Sequence, residues 1–166
     1  MDGAAARREN PPVFEISLAA EGADLQQART LFREYVAEVD APCCFATFDS
    51  EMASLPGAYA SPQGRLFLAR NGEAVAGCVA MRPLAGGGEM KRLYVRPPFR
   101  GSGLGRELAK RVVSAARDER YARLFLDTLP KMREAIALYH SLGFRECGPY
   151  FCDPTPGARY FEIRLS

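Results

Sequence analysis

One histidine, His140, is all that this chain of 166 residues carries, and its five cysteines (Cys43, Cys44, Cys78, Cys147 and Cys152) show no paired two-residue spacing. Those two shortages argue against a zinc site and against a disulfide scaffold. Reduced cysteines serving as small apolar residues fit a reducing, cytosolic setting. No apolar run approaches the roughly 18–20 residues that a membrane span needs. The N-terminal stretch through Ala4, Arg7, Arg8 and Glu9 lacks the apolar centre of a signal peptide. A formal net charge of +2 is too small to make nucleic acid or an anionic membrane the main partner. The expectation is a soluble cytoplasmic protein with neither kind of partner.

What is present is ordinary globular composition, 48% hydrophobic and 25% charged, in a length that suits one domain with a substantial core. Pro11-Pro12 separates a flexible tail, residues 1–12, from a domain over residues 13–166. Phe14, Ile16 and Leu18 alternate as a first strand. Asp24 can cap a helix whose apolar positions are Leu25, Ala28, Phe32, Tyr35, Val36 and Val39, with Pro42 ending it. A shorter helix is expected around 49–55. Residues 65–70 and 74–82 read as a hairpin joined by Asn71-Gly72, and Gly86-Gly87-Gly88 as a flexible link into a strand over 90–95. A helix follows from Gly103, with Leu104, Leu108, Val112 and Ala115 inward. Next come a strand over 123–128 and a helix marked by Ala135, Leu138, Tyr139 and Leu142, closed by Gly143. A last strand places Phe161, Ile163 and Leu165 inward. The order β-α-(α)-β-β-β-α-β-α-β(-β) is that of a single-domain α/β fold, a mixed sheet with helices on its faces.

The positive charge concentrates at Lys91, Arg92, Arg96, Arg100 and Arg106, around a turn with glycines at 101, 103 and 105. Glycines let the backbone approach a ligand closely, and the N–H groups of a following helix start suit a diphosphate. Arg100 and Arg106 can add charge-assisted bonds. The turn is not a P-loop, since Gly105 is followed by Arg106-Glu107 and not by lysine and a hydroxyl residue. Nor does it keep the Rossmann glycine pattern, whose third glycine position holds Arg106, although Asp127 lies near the distance of that fold's ribose acid.

Arg100-Gly101-Ser102-Gly103-Leu104-Gly105 resembles the Arg/Gln-x-x-Gly-x-Gly/Ala signature of the Gcn5-related N-acetyltransferases, and Ala135 through Leu138-Tyr139 to Leu142-Gly143-Phe144 resembles that family's second block. The resemblance covers roughly residues 13–165. It implies a central, mostly antiparallel sheet splayed between its fourth and fifth strands, and acetyl-CoA as co-substrate with no metal. The cofactor site implied is Leu93, Tyr94 and Val95 for the pantetheine arm, and Arg100, Gly101, Ser102, Gly103, Leu104, Gly105 and Arg106 for the pyrophosphate. Tyr139 falls where the family keeps the general acid that protonates the leaving thiolate, a role a neutral phenol can fill; it also shares an apolar helix face, where a core aromatic would sit. Met132 stands where many members carry an asparagine, so a cofactor hydrogen bond falls to Thr128 or is missing.

Glu89 lies six residues before Val95, where the histone-acetylating branch of that family places its base. A glutamate after a glycine-rich loop can equally be a solvated surface residue. Glu51 is the second candidate, and a water chain a third. The acceptor site is expected from the 43–59 region, the 83–89 loop and the tail near 150–160, with Phe48, Glu51 and Tyr59 foremost; Phe45, Tyr150, Phe151, Asp49 and Asp153 are further candidates. Aromatic walls with carboxylates suit a small cationic amine. The expected reaction is direct transfer to a primary amine of a small molecule. Alternatives are a non-catalytic CoA-binding module, acetylation of a protein or peptide amine, and a cysteine carrier such as Cys78, for which no Cys/His pair is visible. The resemblance also allows a homodimer, with no interface marked in the sequence.

Overall fold

Alternation along each strand divides the apolar residues between two faces of one sheet, so two cores form. In β2 (Arg65–Asn71), Leu66 and Leu68 join one cluster while Phe67 and Ala69 join the other; in β3 (Ala74–Leu84), Cys78 and Ala80 oppose Val79 and Met81 in the same way. The first cluster is covered by α1 (Gly22–Val39) and α2 (Phe48–Ser54), the second by α3 (Leu104–Asp118) and α4 (Arg133–Ser141). The remaining strands are β1 (Glu15–Leu18), β4 (Gly87–Val95), β5 (Arg123–Thr128), β6 (Arg145–Cys147) and β7 (Arg159–Arg164). This computed structural model describes residues 10–41, 47–152 and 154–165. The seven strands lie in the order β1-β2-β3-β4-β5-β7-β6, with β4 and β5 parallel and every other pair antiparallel.

The splay expected between the fourth and fifth strands is present. β4 and β5 pair only at Gly88↔Leu124 and Glu89↔Phe125. Beyond Glu89 the two strands part, and among the described residues no strand lies beside the β4 edge from Met90 to Val95 on that side. β4 also carries a bulge, because the register shifts between Cys78↔Tyr94 and Ala80↔Lys91. Arg92 sits in that bulge with φ 59°, a conformation that turns its side chain out of strict alternation.

Four local expectations change. α1 begins at Gly22 rather than at a cap on Asp24, whose carboxylate instead pairs with Arg70 at 2.7 Å. The first hairpin turns on Gly72-Glu73, since Asn71 still pairs with Ala74. Gly87 and Gly88 belong to β4 itself. A Cβ at Gly87 would lie 2.1 Å from the Arg123 carbonyl oxygen, and one at Gly88 would lie 2.9 Å from the Tyr121 ring. These glycines are there for close approach to β5, not for flexibility. Leu18, expected inward, is 48% exposed at the sheet edge. Residues 1–9 of the expected tail, Pro42, Cys43, Cys44, Phe45 and Asp153 lie outside the described residues.

Candidate active site

The open β4 edge forms one wall of a cleft of about 580 Å³. Leu93, Tyr94 and Val95 line it from the sheet, Arg100, Gly101, Gly103, Leu104 and Gly105 from the turn, and Met132, Ala135 and Leu138 from the start of α4. Gly101 and Gly103 have φ of 76° and 85°, so both need glycine for the turn itself. Gly105 differs. It is an ordinary helical residue, and a Cβ there would meet only Leu138 and Val95 at 3.8 and 3.9 Å. Its missing side chain keeps the cleft wall low. α3 starts with no side-chain cap, and its first intrahelical bond runs from the Glu107 N–H to the Gly103 carbonyl at 3.1 Å. The N–H groups ahead of Glu107 therefore have no partner within the helix, and the helix dipole's positive end faces the cleft.

The side chains around the turn are engaged within the protein. Arg100 donates to the Val95 carbonyl and to Glu38, both at 2.8 Å, and lies over the Tyr94 ring. Arg106 donates to Ser141 at 2.7 Å, and Ser102 to the Phe99 carbonyl at 2.5 Å. Their backbones, more than their side chains, remain for a ligand. Glu38 and Lys131, which no motif marks in the sequence, also line the cleft. Lys131 bonds the Val39 carbonyl, tying the end of α1 to the cleft's far side. Tyr35, read as a core position of α1, lines the cleft as well.

Deeper between β4 and β5 the cleft narrows to a section lined by Lys91, Asp127, Thr128, Met132 and Tyr139. Tyr139 is 7% exposed, wedged edge-on against Phe144. Burial pushes its phenol well above the ordinary value, helped by Tyr35 and Asp127, so the hydroxyl keeps its proton. It makes no hydrogen bond to any described residue and remains able to donate into the cleft. His140, one residue on, is exposed and packs against Phe161, as a residue about 100° further round a helix should.

On the α1–α2 side of β4 lies a polar cluster. Glu89 is fully buried, which excludes the solvated surface residue that its sequence setting allowed. Its carboxylate accepts from Arg82 at 2.7 Å, from Tyr150 at 3.1 Å and from Lys91 at 3.4 Å. Lys91 also approaches Asp127 at 3.7 Å. Glu51 accepts from both Arg92 and Tyr59, and Arg92 lies against the Phe48 ring. Burial opposes the charge of Arg92 and is outweighed by Glu51, so its pKa rises. Burial first, and the neighbouring carboxylates Glu51 and Glu89 second, raise the phenols of Tyr59 and Tyr150. Three carboxylates (Glu51, Glu89, Asp127) thus meet three cations (Arg82, Lys91, Arg92). The sequence suggested an anionic wall; the structure has a wall whose charges are matched.

Cys78 is fully buried, donates to the Arg92 carbonyl at 3.3 Å, and has its thiol pushed up by burial. That is an inert thiol, without the thiolate character a covalent carrier needs. Among the described residues no group of three or more His, Cys, Asp or Glu is placed to hold a metal. No helix among them is long and apolar enough to cross a membrane.

An open strand edge, a glycine-rich turn into an uncapped helix and a protonated tyrosine thus line adjoining sections of one cleft. The model of the acetyltransferase (GNAT) family matches residues 26–144. An uncharacterised N-acetyltransferase of Schizosaccharomyces pombe is 36% identical over 159 residues, covering 94% of this chain and 98% of its own. An acetyltransferase structure from Streptococcus agalactiae superposes with a TM-score of 0.75 at 19% identity, covering 92% of this chain and 98% of that one. A spermidine N-acetyltransferase from Vibrio cholerae, solved with CoA and spermine, gives 0.68 at 18% identity, covering 92% and 95%. The chain belongs to the GNAT acetyltransferase family and is an acyltransferase.

Proposed function

We propose that this protein is an N-acetyltransferase that moves the acetyl group of acetyl-CoA directly to the primary amine of a small acceptor. The observation that carries this reading is the meeting of the unpaired β4 edge with the Tyr139 hydroxyl in one cleft. Backbone groups of Leu93, Tyr94 and Val95 pair with the pantetheine arm as a further strand would. The pyrophosphate rests on the N–H groups of Gly101 to Arg106, at the start of α3. Thr128 and Met132 border the thioester end, where Met132 offers no hydrogen-bonding side chain.

In the reaction the neutral amine attacks the thioester carbonyl, a C–N bond forms and the C–S bond breaks. The departing thiolate takes the Tyr139 proton. The ammonium proton leaves through water to the cluster around Glu89, with Glu51 kept for structure by its bonds to Arg92 and Tyr59. An amine bound in the solved complex of a fold neighbour, spermine beside CoA, supports an amine as acceptor.

Initial rates measured with acetyl-CoA and an amine both varied test the direct route. Intersecting reciprocal plots are expected. Parallel plots together with an acetylated form of the protein would overturn it.

A further inference from the structure

Beside Glu89 lies a cation that is only half engaged. Arg82, at the end of β3, stands directly opposite Glu89 in the register of β3 and β4. Its Nε donates to Glu89 at 2.7 Å. Among the described residues, its two terminal nitrogens make no hydrogen bond. The side chain is about one third exposed. It borders a pocket of about 240 Å³ formed with Ser50, Glu51, Ser54 and Tyr59.

We propose that Arg82 is a specificity-determining residue and that the acceptor amine carries a carboxylate, as an amino acid or an amino-acid conjugate does. The inference rests on the acetyl-transfer reading above. Nε is held by the buried Glu89, which leaves the two terminal nitrogens as the unengaged donors of a side chain that lines the pocket. A planar pair of donors of this kind matches the two oxygens of a carboxylate. The neighbouring Glu51 does not repel such a group as a lone carboxylate would, because Arg92 and Tyr59 already bond it. A polyamine finds the reverse situation. Glu51, Glu89 and Asp127 each have a cation of the protein beside them, so no carboxylate of this cluster is left for a second ammonium group. The pocket's size suits a carboxylate on a short stem rather than a long chain.

Matched acceptors test this on the unaltered protein: amino acids, their carboxamides and the corresponding decarboxylated amines, each assayed with acetyl-CoA. The acids should exceed both partners in kcat/KM by about tenfold or more, the worth of one charge-assisted pair. In Arg82→Gln that preference should vanish through a raised KM for the acids alone, while any change in kcat, arising through Glu89, falls equally on acids and amides. Arg82→Lys, which keeps the charge but not the fork, should restore part of it. Equal or better use of amides or polyamines by the unaltered protein would overturn the inference and leave the transfer reading standing. No transfer to any amine, with acetyl-CoA bound, would overturn both.

Discussion

Arg92 in the β4 bulge and Glu51 of α2 are joined by a two-pronged ion pair, with Nε donating to Oε1 at 3.2 Å, and the Tyr59 hydroxyl donates to that same oxygen. Arg92 is 9% exposed, so the pair is the tie between α2 and the strand that builds the cleft. Removing one partner leaves a buried charge uncompensated. Glu51→Ala should therefore cost about 3 kcal/mol in urea unfolding, and replacing both residues with apolar ones should cost less. A loss below about 1 kcal/mol would mean that water replaces the carboxylate there.

Tyr139→Phe removes only the hydroxyl from a ring locked against Phe144 and Phe161. Turnover should fall by about 10²-fold or more, the usual worth of a positioned acid, with acetyl-CoA affinity nearly unchanged. Unchanged turnover would remove Tyr139 from the chemistry.

The glycines of the turn separate folding from binding. Gly103→Ala places a Cβ at φ 85° and should destabilise the fold by about 1–2 kcal/mol. Gly105→Ala meets only ordinary contacts. It should leave stability undiminished, or raise it by up to about 1 kcal/mol as alanine replaces a helical glycine, and weaken acetyl-CoA binding by raising the cleft wall. Calorimetric titration beside a thermal melt reads both. Equal effects at the two sites would contradict this division.

Tyr59, Tyr139 and Tyr150 have phenols raised by burial. Folding therefore favours their protonated forms relative to the unfolded chain. Their contribution is intact below about pH 10, the ordinary phenol value, and is lost as pH rises from there toward the folded values. The urea midpoint should hold steady through neutral pH and drop above about pH 10, with tyrosine ionisation following unfolding. Ionisation at the ordinary value without loss of stability would contradict the burial argument.

The turn and the tyrosine block, the proposed cofactor half of the site, could be located in the sequence because they are local. Three glycines, the arginines beside them and the tyrosine block lie within short stretches, and each has a backbone reason for its residue type. The proposed acceptor half depends on partners far apart in sequence. Glu89 could be read as a base or as a solvated glutamate until β3 and β4 set Arg82 opposite it and Tyr150 came within 3.1 Å. Gly87 and Gly88 read as flexible because nothing in the sequence shows that the Arg123 carbonyl and the Tyr121 ring press on them. Glu38 lay in a stretch read only for helix periodicity and Lys131 in the link between β5 and α4, and their meeting in the cleft comes from how α1 packs across the sheet.

Transfer itself can be followed with acetyl-CoA labelled in the acetyl group and offered with a panel of amines that includes the amino acids. Labelled N-acetyl product and free CoA thiol are expected in equal amount, both diminished together in Tyr139→Phe. Tight binding of acetyl-CoA with no label leaving it for any amine would contradict the account and leave a CoA-binding module in its place.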